Sequence, residues 1–156
     1  MEIDGSRGEG GGQILRTSLA LSMITGKPLA MRRIRAGRAK PGLQRQHLAC
    51  VEAAAQLCGA GISGVTVNSQ TLDFTPGKAW LPELEIDIGT AGSATLVVQT
   101  ILVPALITGH PLHAAVTRNT TSAAKTRIEL IRMASCARAC IPDILQSYTN
   151  HRGVYR

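Results

Sequence analysis

The stretch Ile24-Thr25-Gly26-Lys27-Pro28-Leu29 returns 83 residues later as Ile107-Thr108-Gly109-His110-Pro111-Leu112. In each copy a glycine follows an apolar helical run, and a proline just beyond it bars the helix from continuing. Leu15, Leu19, Ser22 and Met23 share one helical face ahead of the first copy, and the apolar run Ala94 to Thr108 precedes the second. Both copies lead into a segment with strand character. A repeat at this distance implies a duplicated unit of helices packed on a sheet.

Working outward from the first copy, Met1 to Asp4 reads as a short strand and Pro28 to Arg35 as the next. Leu43, His47, Leu48, Val51, Ala55 and Cys58 recur at helical spacing up to Gly59, with Pro41 in a position suited to a first helical turn. Val65 to Thr75 and Leu84 to Ile88 alternate as strands. The expected organisation is a complete β-α-β-α-β-β unit over 1–88. A second, incomplete unit over 89–156 holds a helix, a strand and a helix near Ser122 to Cys140. The fold class is therefore α+β, with repeated units of two helices on a four-stranded sheet.

Hydrophobic residues make up 44% of the 156 residues but aromatics only 3%, so the core must be built from Leu, Ile, Val and Ala. Such a core suits helices on a sheet better than an aromatic-rich sandwich. Glu2, Asp4 and Arg7 interrupt any secretory leader, and Ala94 to Thr108 is too short to span a bilayer. Cys136 and Cys140 stand one helical turn apart, but no second pair completes a zinc-like set. The four cysteines point to thiols in a reducing, cytoplasmic setting.

The net charge of +7 is unevenly placed. Between Glu9 and Glu52 there is no acid, yet Arg16, Lys27, Arg32, Arg33, Arg35, Arg38, Lys40 and Arg45 lie there. A basic block inside an ordered pattern suggests a phosphate-rich partner, against the plainer reading of a solvated charged face. One glycine-bearing stretch opens it and another lies within it. Gly8-Glu9-Gly10-Gly11-Gly12-Gln13-Ile14-Leu15-Arg16 places glycines at a helix entrance, where backbone N–H groups approach an anion. It lacks the Lys-Ser/Thr of a P-loop. Glu9 would repel phosphate unless a magnesium ion joined them. Ile34-Arg35-Ala36-Gly37-Arg38-Ala39-Lys40-Pro41-Gly42-Leu43 carries arginine forks suited to phosphate, with Arg45 and Gln46 opening the next helix. Gln99, polar inside an apolar helix, needs hydrogen-bond partners or a ligand if buried.

Together with Gly89-Thr90-Ala91-Gly92-Ser93 and Val97-Val98-Gln99-Thr100, these phrases strongly resemble the RNA 3'-terminal phosphate cyclase family over roughly residues 1–116. The resemblance implies repeated units of a four-stranded sheet with two helices. It implies an ATP- and divalent-metal-dependent (Mg2+ or Mn2+) conversion of RNA 3'-phosphate ends to 2',3'-cyclic phosphates, through an adenylated histidine and adenylated RNA. Carried onto matching positions, Glu9 assists the metal, and Arg16 and Arg38 stabilise phosphate charge. Gln13, Gln46 and Gln99 fall near the nucleotide, and Arg35, Lys40 and Arg45 near RNA phosphates.

Beyond Val116 this sequence departs from the family pattern, with Thr117-Arg118-Asn119-Thr120-Thr121-Ser122 where a Gly-Gly-Thr segment is expected. None of His47, His110, His113 and His151 stands in the family's nucleophile motif. The expectation is a truncated, inactive or incomplete cyclase with a divergent tail. The alternative is a non-catalytic RNA-binding relative acting in RNA processing. The partners expected are RNA 3' ends and ATP, with no membrane; the sequence leaves the oligomeric state open.

Overall fold

The computed structural model describes residues 1–7, 11–81, 83–87, 94–118 and 126–130. Ten elements follow in chain order: β1 (Glu2–Asp4), α1 (Gly12–Thr25), β2 (Leu29–Arg32), α2 (Arg45–Cys58), β3 (Gly61–Ser63), β4 (Leu72–Thr75), β5 (Glu83–Asp87), α3 (Ala94–Thr108), β6 (His113–Arg118) and β7 (Thr126–Leu130). They form an α+β arrangement with two mixed sheets, ordered β1-β2-β4-β3 and β5-β6-β7.

Both copies of the repeated hexapeptide do the same local work. Gly26 (φ 67°) and Gly109 (φ 70°) take the left-handed conformation that ends α1 and α3. The chain then turns into β2 and β6. Each of these pairs parallel with the strand before its helix, Ile3 opposite Met31 and Glu85 opposite Ala115. Two β-α-β crossovers result, and the three helices lie together, with α3 packed on α1 and α2.

One core joins the layers. Strand β2 alternates Leu29 and Met31 inward with Ala30 and Arg32 outward, and β4 buries Leu72 and Phe74. Leu15 and Leu19 of α1 and Val51, Ala54 and Leu57 of α2 meet them, and Val97 and Ile101 of α3 extend the same cluster. Phe74, the single phenylalanine, is fully buried; every other large side chain of the core is aliphatic, methionine or histidine. Each such apolar side chain contributes about 1.5–3 kcal/mol relative to exposure. The outward face of the first sheet is polar, with Arg32 Nη2 2.6 Å from Asp73 Oδ1.

Several boundaries differ from the sequence reading. The strand expected to reach Arg35 stops at Arg32, because Arg33 (φ 52°) and Arg35 (φ 54°) turn left-handed. Helix α2 starts at Arg45, leaving Pro41 in the loop, since Gly42 (φ 76°) cannot continue a right-handed helix. Only Leu72–Thr75 of the expected 65–75 strand is extended; Asn68 (φ 66°) forms a turn before it. The fourth strand of the first sheet is the unforeseen β3, exposed and three residues long. The strand expected to close the first unit, at 84–88, is β5, which pairs with β6 instead. Within the helix expected near Ser122 to Cys140, Thr126–Leu130 is a strand antiparallel to β6. Its Ile128 and Leu130 alternate with polar neighbours, a period of two that a strand satisfies and a helix does not.

No helix among the described residues is long and apolar enough to cross a membrane. Ala94–Thr108 is a helix with Val97, Val98 and Ile101 buried, as its apolar run demands.

Candidate phosphate-binding site

Helix α1 begins without a cap. Gly11 holds the N-cap position in extended conformation, its missing side chain makes no capping bond, and the first turn carries no acid. The first N–H groups of any helix need acceptors from outside it, and their aligned dipoles favour an anion. Around this end stand Arg16 of α1 itself and two side chains from other parts of the chain, Arg38 and His47.

Gly12 abuts His47 of α2. A Cβ at Gly12 would overlap the imidazole, lying 2.9 Å from its Cδ2, and would sit 3.1 Å from Arg16 Nη1. A Cβ at Gly11 would lie 3.6 Å from Arg38 Nη2. Thus Arg16, one turn into α1, and Arg38, from the basic loop, converge on the same first turn. Arg16 Nη2 donates to Gln13 Oε1 at 2.8 Å, while its buried Nε has no hydrogen-bond partner among the described residues. An unpaired guanidinium N–H beside an uncapped helix end is the donor arrangement that a phosphoryl oxygen satisfies.

His47 is 1% exposed. Its Nδ1 accepts the backbone N–H of Gln44 at 2.9 Å, closing the start of α2. Burial first, then the charges of Arg35 and Arg16, lower its pKa to about 4, so the ring is neutral at neutral pH. With Nδ1 accepting, the ring proton resides on Nε2, the atom that faces Gly12. The imidazole therefore does two tasks: it caps one helix and presents a donor beneath the start of another. The Nε2 atom of Gln46 lies 3.5 Å from the same imidazole nitrogen.

The loop that delivers Arg38 is held by its own backbone. Gly42 N–H donates to Ile34 O at 2.9 Å, Arg38 N–H to Arg35 O at 3.0 Å, and Arg35 Nη1 to Gly42 O at 3.0 Å. This last bond fixes Arg35 as a brace of the loop as well as a charge near His47. Two members of the basic block are committed elsewhere. Arg32 pairs with Asp73, and Arg33 pairs with Asp4, holding that carboxyl well below the usual carboxylate range together with Ser6. Arg38, Lys40 and Arg45 remain exposed.

Of the residues singled out from sequence, Gln13, Arg16 and Arg38 are thus brought together at the start of α1, with Gln46 next to His47 and Arg35 behind it. Lys40 lies further along the loop, and Arg45 opens α2. Gln99 is on the exposed side of α3, joined to none of these by a described hydrogen bond, so burial does not explain it. Glu9 lies outside the described residues. Among the described residues no cluster of three His, Cys, Asp or Glu is placed to hold a metal. From its helical spacing His47 reads as a packed or capping histidine rather than a nucleophile, and it is both; its contact with the start of α1 is what sequence does not show.

A model of the RNA 3'-terminal phosphate cyclase family matches residues 7–156. An RNA 3'-terminal phosphate cyclase of Ralstonia nicotianae is 58% identical over 106 residues, 68% of this chain and 30% of that protein. Those of Salmonella enteritidis and Salmonella typhimurium are each 60% identical over 104 residues, 67% of this chain and 30% of theirs. The chain spans about 30% of the length of these curated relatives. The matched stretches are close to the length that the glycine and arginine phrases mark out, and the family match continues to residue 156. This chain belongs to the RNA 3'-terminal phosphate cyclase family.

Proposed function

We propose that this chain serves in the ATP-dependent conversion of an RNA 3'-phosphate into a 2',3'-cyclic phosphate, and that its part is to grip phosphate at the first turn of α1. The observation that carries this reading is the convergence of Arg16, Arg38 and the His47 Nε2 edge on an uncapped helix start made of Gly11 and Gly12. When AMP is transferred to the 3'-phosphate, and again when the 2'-oxygen attacks that phosphorus and AMP leaves, negative charge gathers on phosphoryl oxygens. Donors fixed in advance by folding stabilise such charge without reorganising. Arg16 and Arg38 supply guanidinium charge, and the helix supplies backbone N–H groups. Gln13, Gln46 and Gln99 are assigned to the nucleotide, and Arg35, Lys40 and Arg45 to RNA phosphates. Glu9 is assigned to the Mg2+ or Mn2+ that accompanies ATP, since one carboxylate with phosphate oxygens suffices for such an ion.

The covalent AMP acceptor is not assigned to this stretch. His47 is buried, with Nδ1 already bonded, and the other histidines lie outside the family's nucleophile motif. That observation also supports a second reading, a non-catalytic RNA-binding relative. Incubation with α-labelled ATP and Mg2+, assayed by filter retention and then by denaturing electrophoresis, tests both. The proposal expects ATP to be retained by the native chain, with at least ten-fold weaker retention for Arg16→Ala and no label surviving denaturation. A covalent band would place a nucleophile within these residues. No retention of ATP, with RNA still bound, would favour the second reading.

A further inference from the structure

The basic loop has two sides, and only one faces α1. On the other side Lys40, Pro41, Gln44, Val67, Asn68 and Gln70 line an open cleft of about 570 Å³. It is open to solvent, so an occupant would be held along one edge rather than enclosed. Its walls are set by the backbone. Leu43 N–H donates to Ser69 O at 2.9 Å, Asn68 N–H to Leu43 O at 2.7 Å, and Ile34 N–H to Gln70 O at 3.1 Å. Gly42 presses so closely on Asn68 that a Cβ there would lie 2.8 Å from its Cα. Gln44 Nε2 donates to Asn68 Oδ1 at 3.1 Å and so orients that amide.

The lining is chemically specific. Val67, 49% exposed, and Pro41 offer an apolar surface. Asn68 and Gln70 are both exposed and both line the cleft; with Asn68 Oδ1 accepting from Gln44, its Nδ2 is left to donate, and the Gln70 amide carries both a donor and an acceptor. Lys40 supplies one positive charge, and no acid lines the cleft. Amides that combine donor and acceptor read base edges, most of all those of an unpaired purine. An exposed lysine beside them suits the phosphate joined to that nucleotide. Lys40 stands two residues from Arg38, a separation of at most about 7 Å along the chain. Gln44 belongs to both places, since its side chain lines the cleft and its backbone N–H holds His47.

We infer that this cleft is a subsite for an unpaired base of single-stranded RNA lying a short way upstream of the 3'-phosphate held at α1. The inference rests on the function proposed above, and it adds a means of gripping the strand by a base rather than by its charge alone.

The test uses the wild-type chain and a fluorescent single-stranded RNA bearing a 3'-phosphate, with an abasic residue placed in turn at each of the last four positions. One or two positions are expected to weaken binding about five-fold or more, the scale of a good base contact, with the rest unaffected. Gln70→Ala, an exposed change, is expected to weaken the intact RNA similarly and to add nothing when the sensitive base is already missing. Preference for a 3'-phosphate over a 3'-hydroxyl, with no sensitivity to any abasic position, would overturn the cleft and leave the α1 site standing. Loss of all RNA binding would overturn both. Equal, additive losses for Gln70→Ala and the abasic RNAs would show that the base sits elsewhere.

Discussion

Helices α1 and α2 are each 14 residues long, pack against each other in one core, and end alike at a left-handed glycine. Their beginnings differ. At α2, Gln44 N–H is received by His47 Nδ1, so the helix start is closed from within the protein. At α1, Gly11 brings no side chain, no acid enters the first turn, and the described side chains nearest Gly11 and Gly12 are those of Arg16, Arg38 and His47. A helix whose start is surrounded by donors is unfinished electrostatically until an anion arrives. The contrast separates a helix end that serves stability from one that serves binding, and His47 is the residue that touches both.

The largest way to break the contrast is His47→Ala. It opens a cavity in the core and leaves the Gln44 N–H without its acceptor, so unfolding stability should fall by about 3 kcal/mol. Chemical denaturation measures this directly, and the loss should exceed that of any single arginine change in the site.

Acid attacks the same residue. The folded pKa of about 4 lies below the ordinary histidine value of 6.5, so the unfolded chain takes up the proton first. Stability from the neutral ring is complete above pH 6.5, declines as pH falls, and is lost near pH 4, by up to about 3 kcal/mol. Denaturation midpoints followed across that window should drop in the wild type. His47→Ala should lack this component of the slope.

Gly12→Ala attacks the other end. The added Cβ meets His47 and Arg16, so it should cost about 1–3 kcal/mol as an overpacking change and push the ring and guanidinium out of place. Binding of phosphate-bearing ligands should fall with it. Gly37→Ala, where a Cβ meets nothing within 4 Å, is the matched control and should leave binding intact.

The smallest expected effect on folding is that of Arg38→Ala. Exposed and without an ion pair among the described residues, it should alter stability by less than about 0.5 kcal/mol. Its mark should be on binding: a shallower dependence of RNA affinity on salt, by about one unit of slope. Lys27→Ala, on the exposed turn after α1, should leave that slope unchanged.

Much of this contrast could be read from residues. The repeated Ile-Thr-Gly-x-Pro-Leu phrase announced two helix ends and two strand entrances, because glycine and proline act through local backbone geometry that needs no partner. The apolar faces of α1 and α2 were equally plain. What escaped depends on distant pairing. Strand β3 is exposed and only three residues long, too short for an alternating pattern. Strand β5 shows its alternation openly, but its partner β6 lies across a whole helix. In the site, glycines and arginines announced phosphate through residue type. His47 did not, because its role comes from two helix ends meeting in space. Gln99 needed partners only if buried; it is exposed, so what singles it out is the resemblance alone.

The most direct test compares the affinity of the wild-type chain for one short RNA ending in a 3'-phosphate and the same RNA ending in a 3'-hydroxyl, with Gly12→Ala and Arg38→Ala measured alongside. An open, donor-lined start of α1 predicts at least five-fold tighter binding of the phosphate end, with the preference reduced in both variants. Equal affinity for the two ends, or a preference that both variants keep in full, would contradict the assignment of phosphate to α1.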